Sequence, residues 1–265
     1  MLLKHTPTRR GRGESTADFL ARVSHLNLNG RKLAAIVSAA FLVATYTPTL
    51  TPSPPPQDNL EACVNLRVLY LFENRISRVT GLESVTKLTH LYLQNNALTD
   101  ISGLGCLPNL TKLYLDDNKI ESVEGLGALT QLEELHLANQ GTALSFDDES
   151  LRACQQSLSV LNVSGNAIAT LESFALMRRL EILNLRHNAV DDFSELCLLF
   201  RGLRVMHTLD MRDNPVCSMT KYREKCIMLS PANVRTMDDR AVDPKQREFL
   251  VRLEMRKRGG AAKPA

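Results

Sequence analysis

The residues able to do chemistry are dispersed along the chain. Six histidines (His5, His25, His90, His136, His187 and His207) fall mostly at repeat-variable positions, with no paired Ser or Cys nucleophile at a turn, so no acyl-transfer pair suggests itself. Three carboxylate pairs, Asp116-Asp117, Asp147-Asp148 and Asp191-Asp192, have the composition of an acid–base or metal site. They fall beside strand ends or in connecting segments, however, and read as solvated pairs. There is no Gly-rich phosphate loop. The six cysteines (63, 106, 154, 197, 217 and 226) form no CxxC pair and no His lies at metal-ligand spacing. They read as reduced thiols, and neither metal nor cofactor is expected. One regularity remains: Tyr70, Tyr92, Tyr114 and His136 recur every 22 residues, with Phe72, Glu73, Gln94, Asp116 and Asp117 close by. Aromatics with an acidic margin have the chemistry of a protein-binding surface, not of an enzyme. The competing reading is that they only pair across strands for stability.

That spacing belongs to a repeat. LRVLYLFENRI from Leu66, LTHLYLQNNAL from Leu88, LTKLYLDDNKI from Leu110 and LEELHLANQGT from Leu132 are 22 residues apart. LSVLNVSGNAI from Leu158 and LEILNLRHNAV from Leu180 follow, with a weaker MHTLDMRDNPV from Met206; the steps 132 to 158 and 180 to 206 are 26 residues, longer by about one turn. Period-two geometry makes LxL a short strand, so Leu91 and Leu93 point inward while His90, Tyr92 and Gln94 face out. In the later units the outward middle position becomes Asn162, Asn184 and Asp210. Asn74, Asn96, Asn118, Asn166, Asn188 and Asn214 sit where the chain leaves the strand, with Gln140 in that place in the fourth unit. An amide there can bond both a buried N–H and a buried C=O and form a ladder. Behind it, Val79, Leu82, Val85 and Leu88 have the threefold spacing of a 3₁₀ return. The expected fold is therefore α/β: a leucine-rich-repeat solenoid of about eight repeats, with a concave parallel sheet and short helical or 3₁₀ convex segments.

The domain plan follows: a basic N-terminal tail (1–16), the solenoid (17–217), a terminal cap (218–242) and a basic C-terminal helix and tail (243–265). The first unit, VSHLNLNGRKLAAI from Val23, has Arg31 in the Asn place and is followed by an excess of 21 residues, 37–57. Removing VSAAFLVATYTPTLTPSPPPQ aligns Ile36, Leu60, Cys63 and Leu66 with the Val79 series. A membrane span over 33–46 falls short of the ~20 residues needed. PSPPP has no basic anchor for a Pro-rich ligand. A retained in-frame intron fits better, because Val-Ser can be encoded by a splice-donor sequence and Gln by an acceptor end. The segment is expected to loop from the convex side.

The net charge of +3 hides an asymmetry. Residues 1–13 hold four basic groups and no acidic ones, and 245–265 hold seven basic against two acidic, which leaves 14–244 at −6. An acidic body with basic ends argues against nucleic-acid binding through the main surface, although the tails could touch an acidic partner. MLLKHTPTRRGRG has no apolar core behind its basic residues, so no secretory signal is expected. The sequons Asn109-Leu-Thr and Asn162-Val-Ser read as ordinary positions of the fold.

The 22-residue unit, together with VLYLFENRIS, LTHLYLQNN, LYLDDNKIESVEGL, LNVSGNAI and the cap-like DNPVCSMTKYREKCI, resembles the leucine-rich-repeat regulatory subunits of protein phosphatase 1. Residues 18–250, the insert excepted, carry the resemblance. It implies association with the phosphatase 1 catalytic subunit and with tubulin. It also implies residence in the cytoplasm and cytoskeleton, at the microtubule-organising centre, centrosome or cilium, as a monomer without membrane or nucleic acid. Axonemal and dynein-assembly adaptors share such units, and splicing-type partners of RNA-binding proteins share the cap. The chain lacks the usual phosphatase docking peptide: Arg67-Val68-Leu69-Tyr70 is the nearest approach, and its Leu69 must be core.

Overall fold

The computed structural model describes residues 13–36 and 60–260. The insert 37–57 and the first twelve residues of the basic tail lie outside the described residues. The chain divides after Leu158 into two compact units.

The first unit opens on a helix that the repeat pattern did not announce, α1 (Thr16–Ala21), whose N-terminus is capped by the Ser15 hydroxyl accepting from the Asp18 N–H at 3.1 Å. Phe19 and Leu20 of α1 are buried. Strands β1 (His25–Asn27), β2 (Val68–Tyr70), β3 (His90–Tyr92), β4 (Lys112–Tyr114) and β6 (Glu134–His136) pair in parallel. Their register sets Leu26, Leu69, Leu91, Leu113 and Leu135 side by side, each at most 2% exposed. On the return side β5 (Ser122–Val123) pairs with β7 (Ser145–Phe146), followed by α2 (Asp148–Cys154).

In the second unit β8 (Val160–Asn162), β9 (Ile182–Asn184), β10 (Thr208–Asp210) and β11 (Thr236–Met237) run parallel, and β12 (Arg240–Ala241) turns back antiparallel on β11. Its helices are α3 (Phe193–Gly202), α4 (Tyr222–Leu229) and α5 (Pro244–Gly260). Helices α2 and α3 occupy the two 26-residue steps, where the extra turn of chain converts a 3₁₀ return into an α-helix. Asp147 and Asp192 cap them, Asp147 accepting from the Glu149 and Ser150 N–H groups and Asp192 from that of Ser194. Asp148, Asp191 and Asp192 are exposed, as expected of solvated acids, and Asp147 and Asp192 have a further use: a short carboxylate just before a helix satisfies its orphan N–H groups.

The turn out of each strand is uniform. Glu73, Asn95, Asp117 and Asn139 in the first unit, and Gly165, His187 and Asp213 in the second, have positive φ between 54° and 71°. The next residue is the amide. Asn118 Oδ1 accepts from the Leu98 N–H at 3.0 Å while its Nδ2 donates to Leu93 O at 3.0 Å and Leu115 O at 2.8 Å. Asn74, Asn96, Asn188 and Asn214 repeat the pattern, and the longer Gln140 reaches Ile120 N, Leu115 O and Ala138 O. Asn166 donates to Val163 O at 3.0 Å. Arg31 cannot play this part; its backbone N–H donates instead to Asn74 of the following repeat at 2.9 Å. At the far end Asp238 Oδ1 accepts from Met211 N–H at 2.8 Å, in the place where earlier strands find the carbonyl of the next strand.

Behind the strands, Cys63 N donates to Leu60 O and Leu66 N to Cys63 O, as Val85 N does to Leu82 O and Leu88 N to Val85 O. The two series have the same hydrogen bonds and both are buried. Two glycines allow repeats to approach closely: a Cβ on Gly103 would lie 1.9 Å from Val79 O, and one on Gly202 1.9 Å from Ala175 O. In the cap, Tyr222, Cys226 and Ile227 of α4 are buried, and Arg223 donates to Met237 O at 2.8 Å. Arg247 ties α5 to the cap through Ser230 O at 2.7 Å and Val234 O at 3.1 Å.

Asn118→Ala leaves the buried Leu98 N–H without its acceptor and takes one of two amide donors from each of Leu93 O and Leu115 O, which keep Asn96 and Gln140, and should cost about 1–3 kcal/mol in urea unfolding. Asn96→Ala, at a half-buried rung, should cost less; the reverse order would contradict the ladder's energetics. A chain lacking 37–57 should keep its far-UV circular dichroism and cooperative melting with equal or higher Tm, since closing a shorter loop costs less entropy. Loss of cooperative unfolding would show that the two halves of the first repeat do not join in register.

Candidate functional site

On the outward face of the first unit's sheet, register alone brings Tyr70, Tyr92, Tyr114 and His136 into one column. Their rings stack: centroids are 4.7 Å apart for Tyr70–Tyr92 and Tyr92–Tyr114 and 4.3 Å for Tyr114–His136, with planes within 18°. Strand spacing sets the first distance, because rings on adjacent parallel strands at one register position meet at about the 4.8 Å strand separation. Stacking of this kind contributes about 0.5–1.5 kcal/mol per pair beyond burial. It also decides what a visitor meets: the faces cover one another, and the half-buried rings present edges and hydroxyls.

The neighbouring outward column is Phe72, Gln94 and Asp116, all half-buried; Glu73 and Asp117 stand beyond it on the left-handed turns, exposed. Asp116 is not the solvated acid expected from its pairing with Asp117. Its Oδ1 accepts from the Ala138 N–H at 2.8 Å, and burial raises its pKa although that bond opposes the shift. Burial lowers the pKa of His136, against the attraction of the Asp116 carboxylate. Asp117 accepts from Asn139 Nδ2 at 3.1 Å.

Two members of the site were not singled out from sequence: Lys112 and Glu134, which, like the outward His90, occupy the first position of their strands. Lys112 Nζ lies 2.6 Å from Glu134 Oε1, and the Tyr114 hydroxyl donates to Glu134 Oε2 at 2.9 Å. Burial works against the Glu134 carboxylate, but bonds from Lys112 and Tyr114 hold its pKa below the usual range. Burial, then that same carboxylate, push the Tyr114 phenol well up. Only strand register could have revealed this cluster, since its members are 20 and 22 residues apart. In the second unit the middle outward position is Asn162, Asn184 and Asp210, and each accepts from the N–H two residues on. Arg67-Val68-Leu69-Tyr70 leads into and forms β2, with Leu69 fully buried, so it is no extended docking peptide.

Among the described residues, no group of three or more His, Cys, Asp or Glu is placed to hold a metal ion, and no helix is long and apolar enough to cross a membrane.

Family models described as "Leucine Rich repeats (2 copies)" match residues 64–106 and 108–147, and one described as "Leucine rich repeat" matches 130–190. This is a leucine-rich-repeat protein. Among solved structures, internalin C2 of Listeria monocytogenes is 21% identical, with 78% of this chain and 84% of that one covered at a TM-score of 0.53. A chain of the TLR13–ssRNA13 complex is 22% identical, over 76% of this chain and 27% of that one, with a TM-score of 0.54. A chain of the Drosophila melanogaster SNF/U2A′ complex is 25% identical over 54% of this leucine-rich-repeat chain and 80% of that one, with a TM-score of 0.44. With internalin C2 and the TLR13 complex the likeness is one of fold: parallel strands and short helical returns.

Because burial depresses the His136 pKa, its imidazole should titrate by NMR with a midpoint below 6.5. The folded state then takes up this proton less readily than the unfolded chain, so His136 removes stability as pH falls below 6.5. Asp116→Asn removes the opposing attraction and should move the midpoint lower still; an upward move would contradict the assigned environment.

Proposed function

We propose that this leucine-rich-repeat chain is a non-enzymatic scaffold that holds a protein partner against the Tyr70–His136 face of its sheet. The observation that carries this reading is the stacked column itself: three tyrosines and a histidine, half-buried and contiguous, on the outward side of a rigid sheet. Rigid aromatics lose little entropy on binding, and the acidic margin of Glu73, Asp116 and Asp117 gives the face a charge preference.

In its finer form the proposal is a regulatory or targeting subunit of protein phosphatase 1, of the regulatory-subunit-42 kind, at centrosomal or ciliary microtubules. This part rests on the resemblance of the repeat and cap sequences. Because Arg67–Tyr70 is tied up in the sheet, the catalytic subunit would be received on the aromatic face and not through a short docking peptide. Tubulin is the second partner in this reading, with the cytoskeleton as the place of action.

The full chain, immobilised and probed with purified phosphatase 1 catalytic subunit and with tubulin, should retain both. Tyr92→Ala/Tyr114→Ala should weaken phosphatase capture by at least about tenfold while circular dichroism is unchanged. Capture of dynein chains in place of the phosphatase would assign the protein to axonemal assembly. Capture of an RNA-binding protein without tubulin would assign it to splicing. Unaltered phosphatase binding by the folded double variant would remove the aromatic face from the account.

A further inference from the structure

The second unit carries a groove that the aromatic face does not explain. Between α4 and α5, and floored by Phe193 of α3, lies a cleft of about 500 Å³. Its walls are two helical stripes. One is Lys221, Glu224, Lys225, Met228 and Leu229, running along α4 from its first flanking residue; the other is Leu250, Leu253, Glu254 and Lys257 of α5. Both follow the i, i+3, i+4, i+7 spacing of a single helix face, so the two helices turn matching sides toward the cleft.

Two features mark this as a surface awaiting a partner. Its apolar side chains are not covered: Leu229 is 45% exposed and Leu253 39%. Its cations are not neutralised. Lys221, Lys225 and Lys257 make no ion pair among the described residues; the Lys225 ammonium rests instead 5.6 Å from the Phe193 ring centre and 3.3 Å from Met219 Sδ. Residues 245–257 hold five basic groups against two acidic, so the field at this end is positive while the body is negative.

We infer that the α4–α5 groove binds an acidic amphipathic helix of a partner protein, with apolar side chains against Leu229, Leu250 and Leu253 and flanking carboxylates on Lys221, Lys225 and Lys257. A helix laid between two helical stripes buries the exposed leucines, and its acidic edges meet three lysines that outnumber the two carboxylates, Glu224 and Glu254, in the same walls. The groove lies wholly in the second unit and has its own partner chemistry, so it stands apart from the aromatic face; failure here leaves that face untouched.

The test uses the full chain and two model peptides in helical register, one of leucine and glutamate and its leucine–lysine counterpart, followed by fluorescence anisotropy. The leucine–glutamate peptide should bind, more weakly as salt rises, and the leucine–lysine peptide should not. Lys221→Glu/Lys225→Glu should weaken binding by at least about tenfold. Leu253→Ser should also weaken it, without changing the melting curve, since Leu253 lies at the surface. Binding of both peptides alike, of neither, or without regard to the lysine reversal would overturn the inference. So would concentration-dependent dimers abolished by Leu253→Glu, which would assign the groove to a second copy. Capture by phosphatidylserine vesicles with refusal of the peptide would assign it to a membrane surface and equally overturn it.

Discussion

The turn that leaves each strand must bury backbone N–H and C=O groups where no sheet partner is available, and one amide side chain meets that demand. Asn118 is representative, joining Leu98, Leu93 and Leu115 across consecutive repeats. Unsatisfied, such groups would cost about 1–3 kcal/mol each. Everything else follows the rung. The amide must come after a residue in the left-handed region, which sets Glu73, Asn95 and Asp117 on the surface. The strand before it can be only three residues long, and its leucines must stack on those of the next unit. Gln140 shows the tolerance of the device: one more methylene still reaches two carbonyls and an N–H. Arg31 shows its limit, for there the following rung supplies the bonds.

Much of this was legible because a repeat writes each constraint several times. The leucine spacing fixes the inward positions, and the two 26-residue steps mark where α2 and α3 replace a 3₁₀ return. The threefold spacing of Leu60, Cys63 and Leu66 shows in the sequence in the same way, and all three are buried. Features that occur once were harder. Helix α1 has no repeat counterpart, and only Ser15 followed by Asp18 hints at its cap. Asp147 and Asp192 look like members of acid pairs until the helices after them are seen. The close glycines, Gly103 and Gly202, answer to a neighbour's carbonyl and not to anything local.

For the site, the column could be read from spacing but its chemistry could not. A tyrosine every 22 residues implies adjacency; that the rings stack face to face, leaving edges outward, depends on side-chain rotation. The Lys112–Glu134–Tyr114 cluster likewise needs the register of β4 against β6. Contrast with the other outward middle positions is instructive. Asn27, Asn162, Asn184 and Asp210 spend their oxygens on their own turns, whereas Tyr70 to His136 make no such local bond and are held by each other. The fold therefore has two ways to occupy this position, and only the aromatic one leaves ring edges and hydroxyls for a partner.

If the amide ladder governs the structure, the N–H groups it accepts should be as protected as those of the sheet. Native-state hydrogen exchange on the full chain measures this directly, comparing Ile76, Leu98, Ile120, Ile168 and Val190, which donate to ladder amides, with Leu71 and Leu93, which donate between strands. Equal opening free energies within each unit are predicted, because neither set can exchange until neighbouring repeats part. Ladder amides that exchange at the rate of exposed turn residues while the strand amides stay protected would contradict the account.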